Sequence, residues 1–265
     1  MIPRYVYEEI DSTNLEALRL AKTGGAIKAP FLVCAKKQTD GRGRSGRTWL
    51  SDEGGLFFSL YLSPRFEADK ASMLTIVMVM AVAKAIKRYL SEQSLQADAS
   101  CELAIKWPND IILNKKKVVG ILTTLQLPEQ DEVAGNGYGV VIGVGINTNQ
   151  TNFAEELADK ATSISSEIGI SILDEILLKY IEEYFVQEYT TFEKEQTLSF
   201  LKEDYEAMLV NAGKQVRVLE PTGEYLAVAK GINDKGHLLV TKESGEYVEV
   251  YAGEVSVRGI YGYVD

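Results

Sequence analysis

Residues 102–127 read ELAIKWPNDIILNKKKVVGILTTLQL, a stretch of short apolar runs separated by polar turns. The apolar runs are residues 103–106, 111–113 and 118–127, and the turns are residues 108–110 and 114–115. Short runs rich in β-branched residues, bounded by Pro, Asn and Asp, are typical of β-hairpins. We therefore predict three consecutive strands here.

Helices and further strands flank this stretch. Thr13 and Glu16 fit a capping box, and apolar residues recur at helical spacing after them, which predicts a first helix. The same spacing predicts helices over residues 69–95 and 172–200, and apolar runs predict strands over residues 30–35, 56–62 and 138–146. Hairpins and helices in this order predict an α+β fold, a mixed β-sheet with helices packed on one face.

The last part of the chain has a different pattern. It contains five short predicted strands, at residues 215–220, 225–232, 238–241, 247–250 and 255–260. Strands of this length, separated by Gly-containing turns, suggest a small β-barrel. We place a boundary near residues 211–213, which divides the chain into a first domain of residues 1–211 and a second of residues 212–265.

The composition excludes several classes of function. The 265 residues carry 28 Lys+Arg and 38 Asp+Glu, a net charge of −10, so we expect no nucleic-acid partner. The longest apolar run, residues 73–83, is shorter than the roughly 20 residues that span a bilayer, and the N-terminus does not resemble a signal peptide. We expect a cytoplasmic protein that does not enter membranes. Two Cys and one His argue against a disulfide framework, a zinc site and a Ser-His-Asp triad.

Three arginines alternate with glycines in residues 41–49, GRGRSGRTW. The segment contains G-x-G-x-x-G, but no amphipathic helix follows, so we do not interpret it as a dinucleotide fingerprint. Arginine offers paired donors to phosphate and carboxylate, and glycine permits close backbone approach. The segment therefore predicts a mobile loop that grips an anion. A solvated basic loop is the alternative.

Further polar groups lie at strand ends. In KWPND, residues 106–110, the Pro turn would direct the side chains of Lys106, Asn109 and Asp110 toward the opening of one pocket. The same residues also suit an ordinary turn without a function. Alternation along the strand puts the side chains of Lys115 and Lys117 on the same face. That face either lines a pocket or faces solvent, where lysines at a hairpin protect the sheet edge. In GVGIN, residues 143–147, the glycines could admit a flat ring beside the amide of Asn147, or form a bulge.

The order of these motifs, from Ser-Thr-Asn at 12–14 through GRGRSGRTW, KWPND and GVGIN to a terminal β-barrel, strongly resembles the biotin protein ligases. The resemblance covers nearly the whole chain. It implies a class II synthetase-like catalytic domain followed by an SH3-like barrel, and a possible homodimer. Some members carry an N-terminal DNA-binding domain; here the pattern starts at Asp11, so we expect the monofunctional type.

The resemblance implies an ATP-dependent, AMP-forming ligase that uses Mg²⁺. Such an enzyme activates biotin as biotinyl-5′-AMP and biotinylates a lysine of a biotin carboxyl carrier protein. The implied biotin-binding residues are Ser12, Thr13, Asn14, Gln38, Arg42, Gly43, Arg44 and Lys117. The implied ATP-binding residues are Arg44, Arg47, Lys106, Asn109, Asp110, Gly143, Gly145 and Asn147. The implied catalytic residues are Arg44, Lys117, Arg47 and Lys106, the implied metal ligand is Asp110, and the aromatic nearest to adenine is Phe153.

Two alternatives stay open. A lipoate or octanoate protein ligase or transferase shares the catalytic fold, and the intact Arg/Gly segment weighs against it. A regulator that binds biotinyl-AMP without transferring it would need much the same pocket. Arg44 and Lys117 favour catalysis over such a silent binder.

Overall fold

A computed structural model describes residues 2–23, 28–93, 101–127, 137–220, 223–252 and 256–259. The strands before residue 150 are β1 (Arg4–Ile10), β2 (Phe31–Gln38), β3 (Leu56–Leu62), β4 (Leu103–Lys106), β5 (Asp110–Leu113), β6 (Lys116–Gln126) and β7 (Gly139–Ile146). Within the described ranges they form one seven-stranded sheet in the order β1-β2-β3-β7-β6-β5-β4. β1 is parallel to β2, whereas the other neighbouring strands are antiparallel, so the sheet is mixed.

The helices are α1 (Thr13–Ala21), α2 (Leu74–Gln93), α3 (Ile164–Ile168), α4 (Asp174–Glu195) and α5 (Ser199–Met208). Short 3-10 helices occur at Arg44–Gly46, Ala68–Met73 and Glu155–Leu157. The helix predicted over residues 69–95 is thus a 3-10 turn followed by α2, and its last two predicted residues lie outside the described ranges. The helix predicted over residues 172–200 divides at Gln196, whose φ of 54° ends α4.

The α+β prediction is confirmed, and the structure adds a helix on the second face of the sheet. Leu32 and Cys34 of β2 join the large core that contains α2. Phe31 and Val33 of the same strand pack instead with Ala17 of α1. Because successive strand side chains point to opposite faces, α1 lies across the sheet from α2. This arrangement leaves room for a cleft between the N-terminus of α1 and the sheet.

The C-terminal strands form a separate antiparallel sheet. They are β8 (Gln215–Glu220), β9 (Gly223–Ile232), β10 (Leu238–Lys242), β11 (Tyr247–Val250) and β12 (Ser256–Gly259), in the order β11-β10-β9-β8-β12 within the described residues. One apolar core nevertheless runs from the first sheet into the second. The division of the chain at residues 211 and 212 stays a prediction. No helix of the described ranges is long and apolar enough to cross a membrane.

Candidate functional site

A cleft on the α1 face of the first sheet brings together most of the predicted site residues. It is lined by Ser12, Thr13, Asn14, Gln38, Arg42, Gly43, Arg44, Arg47, Lys106, Asn109, Lys117, Gly143 and Gly145. The remaining two predicted residues, Asp110 and Asn147, line an adjoining cavity, which shares Thr48, Trp49 and Lys117 with the cleft.

Neutral polar groups form the α1 end of the cleft. The amide and hydroxyl of Thr13 both donate to Oε1 of Gln38, at 2.8 and 3.1 Å, and Nε2 of Gln38 donates to Oγ of Ser51 at 2.8 Å. Oγ of Ser59 lies 2.7 Å from Oγ1 of Thr13 and donates to Oδ1 of Asn14 at 2.5 Å. The hydrogen bonds fix these buried side chains before any ligand arrives. Sequence reasoning missed Ser59, although a lone serine within the apolar run LFFSLYL was a signal.

Glycines let bulky side chains lie directly on the sheet. A Cβ at Gly143 would stand 1.9 Å from Oδ1 of Asn14, and one at Gly145 would stand 2.5 Å from Nε1 of Trp49. Gly120, the cross-strand partner of Gly145, would meet the same indole at 2.5 Å. The ring that lies against Gly145 is therefore that of Trp49, which forms a wall between the cleft and the adjoining cavity. Sequence reasoning did not assign roles to Gly120 and Trp49.

The Arg/Gly segment is a tight loop at the mouth of the cleft. The amide of Gly43 donates to the carbonyl of Arg47 at 2.7 Å, and the amide of Arg47 donates to the carbonyl of Arg44 at 3.2 Å. Arg42 is half exposed and pairs with Asp40 at 3.0 Å. Nη1 of Arg44 donates to Oδ1 of Asn109 at 3.0 Å, and Nη2 donates to the carbonyl of Ala252. Burial lowers the pKa of Arg44, yet an arginine stays charged at any ordinary pH.

Lysines and one carboxylate form the cationic end. Nζ of Lys117 lies 2.7 Å from Oδ1 of Asp110 and 5.0 Å from the ring centre of Trp49. Lys106 is only 6% exposed, and this burial lowers its pKa to about 8, although the charge of Asp110 acts in the opposite direction. Near neutral pH most Lys106 side chains are protonated, and the charge is lost as pH rises through about 8. The cleft thus joins neutral hydrogen-bonding groups to a cluster of cations.

Asn147 lies at the end of β7 and has a structural partner. Its Nδ2 donates to the carbonyl of Thr162 at 3.1 Å, which uses one of its two amide hydrogens. The cavity beside it is lined by Leu50, Phe153, Leu157 and other groups. A flat apolar ring fits such walls, and Phe153, the aromatic expected near adenine, is among them.

The C-terminal sheet also reaches the site, a contribution that sequence reasoning did not assign. Val257 lines the cleft, and the charge of Arg258 helps to lower the pKa of Lys106. Nε1 of Trp107, in the turn between β4 and β5, donates to the carbonyl of Gly236 at 2.9 Å. The turn at residues 107–109 is therefore held between the two sheets.

Comparison with known proteins gives consistent matches. The model of the biotin/lipoate A/B protein ligase family matches residues 7–147, and the model of the biotin protein ligase C terminal domain matches residues 212–258. The bifunctional ligase/repressor BirA of Bacillus spizizenii is 35% identical over 258 residues, which are 95% of this chain and 73% of that protein. The biotin--[acetyl-CoA-carboxylase] ligase of Paracoccus denitrificans is 31% identical, over 94% of this chain and 98% of that protein.

A solved structure shares the whole architecture. The biotin protein ligase from Aquifex aeolicus, in complex with biotin and ATP, is 28% identical and superimposes with a TM-score of 0.79. The match covers 98% of this chain and 100% of that one. The similarity therefore extends over both sheets and the cleft between α1 and the first sheet.

Proposed function

The chain belongs to the biotin/lipoate A/B protein ligase family, and on that premise we propose that it is a biotin protein ligase. It activates biotin with ATP as biotinyl-5′-AMP and transfers biotin to a lysine of a biotin carboxyl carrier protein, the carrier of acetyl-CoA carboxylase. One observation carries this proposal: a single cleft joins the fixed amides and hydroxyls of Thr13, Asn14 and Gln38 to the cations Arg44 and Lys117.

The neutral end of the cleft suits the ureido ring of biotin. A cyclic urea offers N–H donors and a carbonyl acceptor, and the side chains of Ser12, Asn14 and Gln38 include both kinds of group. Because Ser59 and Ser51 hold two of these side chains, binding costs little further ordering. The valerate chain of biotin then extends along Trp49 toward the cations.

In the first step a carboxylate oxygen of biotin forms a bond to the α-phosphorus of ATP, and the bond to the bridging oxygen breaks, releasing pyrophosphate. Two like charges 4 Å apart repel by about 4 kcal/mol at an effective dielectric near 20. Each charge-assisted hydrogen bond contributes on the order of 1.5–3 kcal/mol, so a few cations offset that repulsion. Lys117 contacts the reacting carboxylate, while Arg44, Arg47 and Lys106 contact the phosphates.

In the second step the amine of the acceptor lysine attacks the carbonyl carbon of the mixed anhydride. The bond to the phosphate oxygen breaks, AMP leaves with the electron pair, and the amine loses a proton. The loop that carries Arg42, Gly43 and Arg44 shields the anhydride from water until the acceptor arrives. Gly145 and Asn147 lie along the nucleotide side of the site, with Phe153 beside the adenine, whereas Gly143 lies against Asn14 at the biotin end.

Asp110 fits a magnesium ion that the phosphates bring with them. The described residues contain no cluster of three or more His, Cys, Asp or Glu that could hold a metal. Mg²⁺ commonly binds through one or two carboxylates together with substrate phosphates, so one buried carboxylate beside the phosphate site is sufficient. When bound, the ion would neutralise part of the phosphate charge, and Lys117 would hold the orientation of Asp110.

The remaining parts of the proposal concern setting and assembly. The catalytic unit comprises residues 1–211, and the small sheet, in residues 212–265, completes the mouth of the cleft. We place its activity in the cytoplasm and expect no nucleic-acid or membrane partner, since the chain carries a net charge of −10. A homodimer is possible and stays a prediction.

A labelling assay tests the function. Purified protein with biotin, ATP and Mg²⁺ is expected to release pyrophosphate before any acceptor is added, and to biotinylate a carrier domain afterwards. Biotin binding without pyrophosphate release would contradict the ligase assignment. Pyrophosphate release without labelling would favour a regulator that holds biotinyl-AMP, and activation of lipoate or octanoate in preference to biotin would favour the related ligases.

A further inference from the structure

Arg44 donates hydrogen bonds to acceptors in two different parts of the fold. Nη1 donates to Oδ1 of Asn109, in the turn before β5, and Nη2 donates to the backbone carbonyl of Ala252, after β11. A guanidinium group is planar and carries its five N–H donors in a rigid fork, so a fixed acceptor at one nitrogen constrains the direction of the others. Arg44 lines the cleft and also a neighbouring cavity on its other side, which Tyr251 and Ala252 help to enclose. Asn109 and Ala252 therefore help to fix the guanidinium between the two cavities.

Asn109 is itself fixed on both sides of its amide. Its Nδ2 donates to the carbonyl of Ile121 at 2.9 Å, while the amide of Ile121 donates to the carbonyl of Asn109 at 3.0 Å. The side chain is only 8% exposed. This pair of bonds extends the β5–β6 ladder by one position and holds Oδ1 toward Arg44. Rotation of the amide would break the bond to β6 and the bond to Arg44 together.

We propose that Asn109 is a positioning residue for Arg44 and not a ligand of ATP. This inference rests on the proposed function, since it concerns how the enzyme retains biotinyl-AMP. Asn109 orients the guanidinium toward the acyl phosphate inside the cleft, and the carbonyl of Ala252 supports it from the second sheet. The Asn in KWPND thereby connects the loop at residues 41–49 to the sheet.

The test is a double-mutant cycle on the half-life of enzyme-bound biotinyl-AMP, measured after unbound substrates are removed. We expect Arg44→Ala and Asn109→Ala each to shorten the half-life by about tenfold or more, as for the loss of a charge-assisted bond. The double variant is expected to match Arg44→Ala within about twofold, because Asn109 acts through Arg44. The KM for ATP is expected to stay within about twofold when Asn109 is changed in the Arg44→Ala background.

Asn109→Asp separates positioning from a direct contact. Aspartate keeps an acceptor for Arg44 but loses the Nδ2 donor to Ile121, so retention of the adenylate should lie between that of Asn109→Ala and that of wild type. If the residue contacted phosphate directly, the added negative charge would make this variant worse than Asn109→Ala. That order, or additive effects in the cycle, would overturn the proposal.

Asn114→Ala is the matched control for damage to a turn. Asn114 lies in the next turn, where its side chain accepts from the amide of Glu102 at 3.0 Å and donates to Glu167 at 2.6 Å. We expect this variant to lower thermal stability and leave the half-life unchanged; a shortened half-life would mean that general loosening suffices, which contradicts a specific role of Asn109. Wild-type protein that releases no pyrophosphate would refute the proposed function itself, an outcome distinct from any result of the cycle.

Discussion

Lys106 is a buried cation whose charge depends on pH near the physiological range. Its pKa is lowered to about 8 by burial, from a usual value near 10.5. Between these two values the folded state binds fewer protons than the unfolded state, so the contribution of Lys106 to stability rises with pH across that window. Below pH 8 the side chain is charged in both states and the cost of burying the charge is fully present. The charge of Asp110 offsets part of this cost, and a bound anion would offset more of it.

The charge of Lys106 predicts a pH dependence of the first half-reaction. We expect kcat/KM for ATP, followed by pyrophosphate release, to fall as pH rises through about 8, because the free enzyme then loses a phosphate-binding charge. Lys106→Arg should lose this decline, since arginine stays protonated. An unchanged decline in Lys106→Arg would assign the pH dependence to another group.

Adding a side chain at Gly143 is predicted to weaken the binding of biotin specifically. Gly143→Ala would place Cβ within 1.9 Å of Oδ1 of Asn14, so the Asn14 side chain must leave its bond to Ser59. We expect the Kd for biotin, measured by calorimetry, to rise by about tenfold or more, as for the loss of one or two hydrogen bonds. Gly139→Ala is the control. Gly139 lies in the same strand, but a Cβ there would stand 2.2 Å from Oη of Tyr61 and not near Asn14. That variant should lose stability while its biotin affinity remains within about twofold of wild type.

At the scale of elements, local pattern predicted most strands and failed where distant partners decide. β3, β4 and β8 have the predicted bounds, because apolar runs between turn residues leave few alternatives. β1 was missed. Val6, within this strand, is 68% exposed, so no buried apolar run marks β1. The strand joins the sheet by parallel pairing with β2. Such pairing depends on a partner far along the chain, which no local period reveals.

The start of α1 shows why the capping-box prediction was wrong. The helix does begin at Thr13, but Ser12 occupies the N-cap without a capping bond from its side chain. The hydroxyl of Thr13 donates to Gln38 instead, and Asn14 accepts from Ser59. The polar residues that a helix start usually needs for itself here face the cleft, as local rules often fail at functional sites.

The break between α4 and α5 has a similar tertiary cause. Neither Gly nor Pro lies at residues 195–198, so the helical pattern predicts no interruption. The amide of Leu198 donates instead to the carbonyl of Asp234 at 2.8 Å, in the turn between β9 and β10. The second sheet thereby takes a backbone group that a continuous helix would have used.

At the scale of the molecule, motif order predicted which residues gather in the cleft, and composition did not. The chain carries a net charge of −10, yet Arg44, Arg47, Lys106 and Lys117 meet at one cleft. Their positions follow from segments that are distant in sequence, and the resemblance to a known family supplied the order. Trp49 and the carbonyl of Ala252 could not be predicted in the same way, because burial and cross-sheet contacts alone give them a role, whereas Ser59 left one signal, a lone serine in an apolar run.

The shared core predicts that the two sheets unfold together. Oε1 of Glu206, in α5, accepts a hydrogen bond from the amide of Ile232 at 2.9 Å, and Nε1 of Trp107 donates one to the carbonyl of Gly236. Helix α5, the turn at Trp107 and the second sheet therefore form one packed unit. A calorimetric scan should give one transition, with a calorimetric enthalpy equal to the van't Hoff value.

Gly231→Ala tests the coupling directly, since its Cβ would lie 2.1 Å from Oε1 of Glu206 at a φ of +144°. We expect this variant to unfold in two transitions or at a lower midpoint, by roughly 2–4 °C per kcal/mol lost. Two transitions in the wild-type protein would show that the sheets are independent despite their common core.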